Sequence, residues 1–360
     1  MNLRIDQWSA AALRRGLVAV SLVGSVLLAS CGGSTTTQEF APKRLLVFGD
    51  EASLLTRGSS ATARDGKKYT INGFTPSTTP AYSTLDCGIN PLWVQWLATN
   101  YGFVFEQCNY TGGPAAAFNY ATAGATVADA VGQVNVWLSQ GNSFGPTDLV
   151  TVMVGQNDII ALYEVYKALP ADQQTKAAQD QLVTAALNRG KALAALYTNV
   201  ITNKSNKKAR ALYVVIPDVG KTPYGLSQSD GGALLSRMTF GVGNNYEGFN
   251  LGLRDNIANN GRSLGLVDGY NLFFNLTNNT ENYANNNGIV NLTDAGCLPA
   301  NQPAYNPAQP DEECNSTTLV NPGVAYGDSY YLWADQKHFG PQPHLLLGER
   351  ARFLAENNPF

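Results

Sequence analysis

The chain has 360 residues, 44% hydrophobic and 14% charged, which supports a sizeable core and excludes wholesale disorder. Its formal net charge is -3 and no Lys/Arg-rich stripe stands out, so nucleic acid is not an expected partner. Two His and no Cys-x-x-Cys pair leave little for zinc, and no metal or cofactor is expected.

In chain order, the first element is an address rather than a fold. Arg14 and Arg15 precede an apolar run from Gly16 to Leu28. Its 13 residues fall short of the roughly 20 that span a bilayer, and fit the apolar centre of a signal peptide. The run closes Leu28-Ala29-Ser30-Cys31, then Gly32, Gly33 and Ser34. Small residues before a Cys resemble a bacterial lipobox. The resemblance implies a signal peptide over 1–30, lipidation of Cys31 and a polar tether over 31–42. An ordinary signal peptide with an incidental Cys is the plainer alternative. Little around Arg14-Arg15 supports twin-arginine export. Gly32 after the Cys implies, by resemblance to lipoprotein sorting, the outer membrane. Removal of 1–30 takes away three Arg and one Asp and leaves a net charge of -5.

Export would leave Cys87, Cys108, Cys297 and Cys314, an even count that suggests two disulfides in an oxidising compartment. Three connectivities are open. Pairing of nearest neighbours closes two short loops, each worth ~3 kcal/mol on the chain-entropy account. Free buried thiols are the alternative.

Lys43 to Phe48 reads as a buried strand that ends in a tight turn at Gly49-Asp50. Residues 56–86 read as loop. Asn90-Pro91 opens a helix through Leu92 to Ala98, with a short strand at Phe103 to Phe105. Val127, Val131, Val134 and Leu138 share one helix face. Asp148 to Val154 is a second buried strand, ending at Gly155-Gln156-Asn157-Asp158. A long helix over 172–203 buries Val183, Leu187, Gly190, Ala194, Tyr197 and Ile201. Ala211 to Ile216 and Leu264 to Asp268 are further strands, with a helix between them from Phe249 to Ala258. Nine Asn between Asn271 and Asn291, and five Pro between Ala295 and Ser329, read as a loop insert over about 271–329. Trp93, Trp96, Trp137 and Trp333 fall in apolar patterns and read as core. Strands alternating with helices predict an α/β fold with a parallel sheet covered on both faces and its site at the strand ends.

Four polar blocks coincide with that expectation. They are Gly49-Asp50-Glu51, Asn119 to Ala125, Gly155-Gln156-Asn157-Asp158 and Asp335-Gln336-Lys337-His338. In this order and spacing they resemble the SGNH/GDSL hydrolase family, from about Arg44 to the end of the chain. Pro217 to Pro223, Phe249-Asn250 and Val267-Asp268 add smaller matches. The resemblance implies a three-layer α/β/α sandwich (flavodoxin-like) over 43–360, and acyl transfer onto or from esters. It places Asp335 as the acid that orients His338, and Gly124 and Asn157 as oxyanion donors. It implies a small-molecule ester, a lipid or an acylated glycan as partner.

The nucleophile does not match, because Glu51 stands where the family has Ser. Three readings follow. In the first, Ser53 replaces the lost Ser, against which stands the fact that residues two apart on a helical turn do not share a face. Glu51 could itself activate water or attack the carbonyl. Two carboxylates, Glu51 and Asp335, would then flank His338 and favour the imidazolium. Or the fold persists as a ligand-binding envelope lipoprotein without turnover. His344, the other His, reads as a partly buried surface residue on the last helix. Tyr326, Tyr330 and Tyr331 precede the His338 block and could line a cleft.

Overall fold

The computed structural model describes residues 40–75, 84–196, 201, 209–243, 245–258, 261–278, 283–297, 314–321, 323 and 327–357. The unit that begins at Phe40 carries all of them. Cys31, Tyr197 and Tyr326 lie outside the described residues.

Five short strands build the sheet: β1 (Arg44–Gly49), β2 (Ala117–Asn119), β3 (Asp148–Met153), β4 (Arg210–Val215) and β5 (Leu264–Asp268). They pair in the order β2-β1-β3-β4-β5, each pair parallel. The three central strands, β1, β3 and β4, are buried on both sides, which is why they read as continuous hydrophobic runs rather than alternating ones.

Alternate side chains feed two separate cores. Leu46, Phe48, Val150, Val152, Ala211 and Tyr213 face α2 (Val127–Ser139), α3 (Gln156–Lys167), α4 (Lys176–Leu196), α5 (Ala233–Thr239) and α6 (Gly248–Asn256). Leu45, Val47, Leu149, Met153, Leu212 and Val214 face α1 (Trp93–Asn100), α7 (Gly269–Asn278) and α8 (Pro341–Asn357). The result is the predicted three-layer α/β/α sandwich. A small parallel pair, β6 (Asn291–Ala295) with β7 (Tyr331–Trp333), leads into the His338 block.

Several elements depart from the sequence expectation. Phe103 to Phe105 forms only an isolated bridge from Phe105 to Ala117. The long helix is described over Lys176–Leu196 rather than from 172. The Asn-rich stretch from 271 begins inside a helix, because Leu272, Phe273 and Leu276 bury one face of α7 despite the poor helix propensity of Asn. Trp96 is 37% exposed, so it is not core. His344 is wholly buried in α8, edge-on to Phe339 at 5.4 Å, not partly exposed.

The disulfides join Cys87 to Cys108 and Cys297 to Cys314, the nearest-neighbour connectivity. The second anchors a small core of Ile71, Leu319, Tyr331 and Ala334. Tyr331 therefore packs inward. Among the described residues, no helix is long and apolar enough to cross a membrane.

Candidate active site

The turn after β1 is set by backbone chemistry. Gly49 has φ +130, and a Cβ there would sit 1.9 Å from the Met153 carbonyl oxygen, so only Gly permits the close approach of β3. Gln133 of α2 clasps this Gly from both sides. Its Oε1 accepts from Gly49 N–H at 2.8 Å, and its Nε2 donates to Gly49 C=O at 2.9 Å. Asp50 then caps a single helical turn, Glu51–Ser53, accepting from Ala52 N–H at 3.1 Å. Burial, and then the neighbouring Glu51 charge, hold the Asp50 carboxyl well above the usual carboxylate range.

That turn sends Glu51 and Ser53 to different places. Ser53 is fully buried, and the Trp93 indole donates to its Oγ at 3.1 Å. Asn119 Nδ2 donates to its carbonyl. Glu51, 4% exposed, points into a narrow cleft at the strand ends with Met153, Gln156, Ile216, Lys337, His338 and Phe339 around it.

Asn157 arrives from the turn after β3. Gly155 there has φ +134, and a Cβ would fall 2.4 Å from the Phe249 ring. With the chain turned by Gly155, Asn157 Nδ2 donates to Glu51 Oε2 at 2.7 Å and to Ala125 C=O at 3.1 Å. Asp158, next in the chain, accepts from Val127 N–H at 2.8 Å and ties α2 to α3. Gly124, with φ +71, is exposed on the adjoining turn and makes no hydrogen bond to these side chains.

The C-terminal block closes the cleft from the other side. Asp335 Oδ1 accepts from the backbone N–H of Lys337 at 2.9 Å and of His338 at 2.8 Å. Its Oδ2 lies 2.8 Å from His338 Nδ1. His338 Nε2 is 4.0 Å from Glu51 Oε1, and Lys337 Nζ is 3.7 Å from the same oxygen. Burial and the nearby Lys337 charge oppose the imidazolium, but the Asp335 carboxylate on Nδ1, with a smaller contribution from Glu51, outweighs them. The His338 pKa therefore lies above the ordinary histidine value. Burial also opposes the Asp335 carboxylate, yet His338 and the backbone donors hold its pKa below the usual range.

The sequence blocks thus bring Glu51, Asn157, Asp335 and His338 together, with Gly124 on the rim. Four contributors were not foreseen. Gln133 fixes the first turn. Tyr69 packs edge-on to His338 at 5.1 Å, and Thr70 donates to Phe339 C=O at 2.9 Å, both from the segment read only as loop. Lys337 lies inside the block but carried no signal of its own. Among the described residues, no group of three or more His, Cys, Asp or Glu is placed to hold a metal ion.

A family model described as GDSL-like Lipase/Acylhydrolase matches residues 55–351, and the chain belongs to that family. Among solved structures it is similar to a member of the lipolytic protein G-D-S-L family from Veillonella parvula DSM 2008. That likeness has 15% identity, covers 86% of this chain and 95% of the other, and has a TM-score of 0.35, too low for residue-by-residue correspondence. No curated protein matches the chain.

Proposed function

We propose that this GDSL-like lipase/acylhydrolase hydrolyses carboxylic esters with Glu51 in the nucleophile's place. One observation carries the reading. Glu51 Oε1 faces His338 Nε2 at 4.0 Å while Nδ1 of the same ring is held by Asp335 at 2.8 Å. A buried carboxyl group therefore faces an oriented imidazole, whose raised pKa favours the acid form that serves a leaving group.

The chemistry balances in two halves. Oε1 attacks the ester carbonyl carbon and forms a C–O bond. Collapse breaks the bond to the alkoxide, which takes the proton from His338 Nε2, leaving an acyl–Glu51 anhydride and an alcohol. His338, now neutral, takes a proton from water as that water attacks the acyl carbon. The C–O bond to Glu51 breaks, the carboxylate and imidazolium are restored, and the acid departs. Small-molecule esters or lipids fit the family and the narrow cleft.

A second reading has its own support. Both hydrogens of Asn157 Nδ2 are committed, to Glu51 and to Ala125, so the amide expected to hold an oxyanion is occupied by the Glu51 side chain. On this reading Glu51 plugs the site, and the cleft binds an acylated glycan or lipid without cleaving it. Glu51→Ser separates the two: it removes activity from a Glu-dependent hydrolase and restores it to a plugged one.

The proposal includes export and anchoring through a lipid on Cys31, in the cell envelope and at its outer membrane. The run Gly16 to Leu28 before Leu28-Ala29-Ser30-Cys31 supports it, as do two disulfides suited to an oxidising compartment. Labelling with a radioactive fatty acid tests it, with Cys31→Ser as the unlabelled control.

A further inference from the structure

We propose that Lys337 is a catalytic residue, the cation that takes up the oxyanion which Asn157 is not free to hold. The inference rests on ester hydrolysis by Glu51.

The two oxygens of Glu51 have different surroundings. Oε2 accepts from Asn157 Nδ2 at 2.7 Å, so it is tied to α3. Oε1 faces the cleft, with Lys337 Nζ at 3.7 Å and His338 Nε2 at 4.0 Å. Oε1 is therefore the attacking atom, and the charge that develops arises on its side. The orientation of the Asn157 amide follows from its neighbours. Reversed, its oxygen would oppose a carboxylate and a carbonyl.

Hydrogen bonds hold the Lys337 backbone, and its side chain is partly exposed. Its N–H donates to Asp335 at 2.9 Å, and its C=O accepts from Gln156 Nε2 at 3.0 Å. The preceding carbonyl, of Gln336, accepts from Tyr224 N–H at 2.8 Å. The side chain is 30% exposed and reaches across the cleft on a flexible stem. Among the described residues lining the cleft, the cationic groups are Lys337 and His338. His338 is reserved for the leaving group, whose proton it carries.

The interaction strengthens in the transition state, as catalysis requires. In the resting site Nζ is an ion-pair partner beyond hydrogen-bond reach of Oε1. As Oε1 bonds to the carbonyl carbon, its charge moves to the carbonyl oxygen, two bonds away. A short swing of the Lys337 stem follows that charge and closes a charge-assisted hydrogen bond. Removing a single oxyanion donor typically costs on the order of 10²–10³ in kcat.

The test compares the native protein with Lys337→Met and Lys337→Arg on p-nitrophenyl butyrate, with melting curves to confirm that each is folded. The expected result is a fall in kcat of about 100-fold in Lys337→Met, KM changed by less than about threefold, and partial recovery in Lys337→Arg. Because the Lys337 charge holds the His338 pKa down, Lys337→Met also moves the alkaline limb of the residual rate to higher pH. Native turnover that Lys337→Met leaves unchanged, or a loss carried in KM alone, overturns the inference while ester hydrolysis stands. Absence of native turnover overturns ester hydrolysis, and the inference with it.

Discussion

Asn157 donates its side-chain amide to the side chain of Glu51 at 2.7 Å, so the residue proposed in the nucleophile's place and the expected oxyanion donor are bonded to each other. Asn157→Asp replaces that donor with a third acidic side chain, in a cleft that already holds Asp50 and Glu51. Loss of a bond to a charged group costs about 1.5–3 kcal/mol, before any like-charge repulsion. The variant is expected to melt at lower temperature and to lose ester turnover, whereas loss of turnover with unchanged stability would show that the bond does not hold Glu51.

The pH dependence follows from the raised His338 pKa. If the imidazolium acts as an acid, the rate falls as pH rises through the folded value, above the usual ~6.5. A histidine acting first as base gives the opposite limb. Stability has the same sign. The His338 contribution is fully present below the unfolded value and is lost as pH rises through the folded one. Subtracting the unfolding curve of His338→Ala from that of the native protein isolates this loss. A difference that grows with pH contradicts the assignment.

Ser53 accepts from the buried Trp93 indole at 3.1 Å. Ser53→Ala leaves that donor unpaired, at a cost of about 1–3 kcal/mol, and leaves ester turnover in place. Turnover abolished in a folded Ser53→Ala protein would make Ser53 the nucleophile after all.

The Cys297–Cys314 bridge bears on the site as well as on stability. Cys297 N–H donates to Ala334 C=O at 2.7 Å, one residue before Asp335, and the Cys314 carbonyl accepts from Asn72 N–H at 2.9 Å. Replacing both Cys by Ser costs about 3 kcal/mol on the chain-entropy account. It is expected to lower Tm by several degrees and to slow turnover through a looser His338. Equal activity per folded molecule would confine the bridge to stability.

Four of the five sheet strands were legible because each is a short apolar run closed by Gly, Asp or Pro, whereas Ala117–Asn119, three residues at the sheet edge and only partly buried, carries no such pattern and a strand was expected at Phe103 to Phe105 instead. The site was legible in the same turns. The helix from Gln156 to Lys167 was not read, although Ile159, Tyr163 and Tyr166 carry its spacing and bury its inner face. Its start coincides with the polar turn that drew attention to Asn157. Gln133 and Tyr69 were illegible for another reason. Their roles depend on contacts made to Gly49, 84 residues away, and to His338, far along the chain, and no local pattern reports such pairings.

The central claim is that Glu51 supports ester hydrolysis. The most direct measurement follows p-nitrophenyl acetate and butyrate hydrolysis by the domain from about Ser34 onward, beside Glu51→Gln, Glu51→Ser and His338→Ala. The account predicts native turnover that disappears in Glu51→Gln and His338→Ala and is not rescued by Glu51→Ser. A silent native domain that Glu51→Ser brings to life would contradict it, and would identify Glu51 as the group that closes the site.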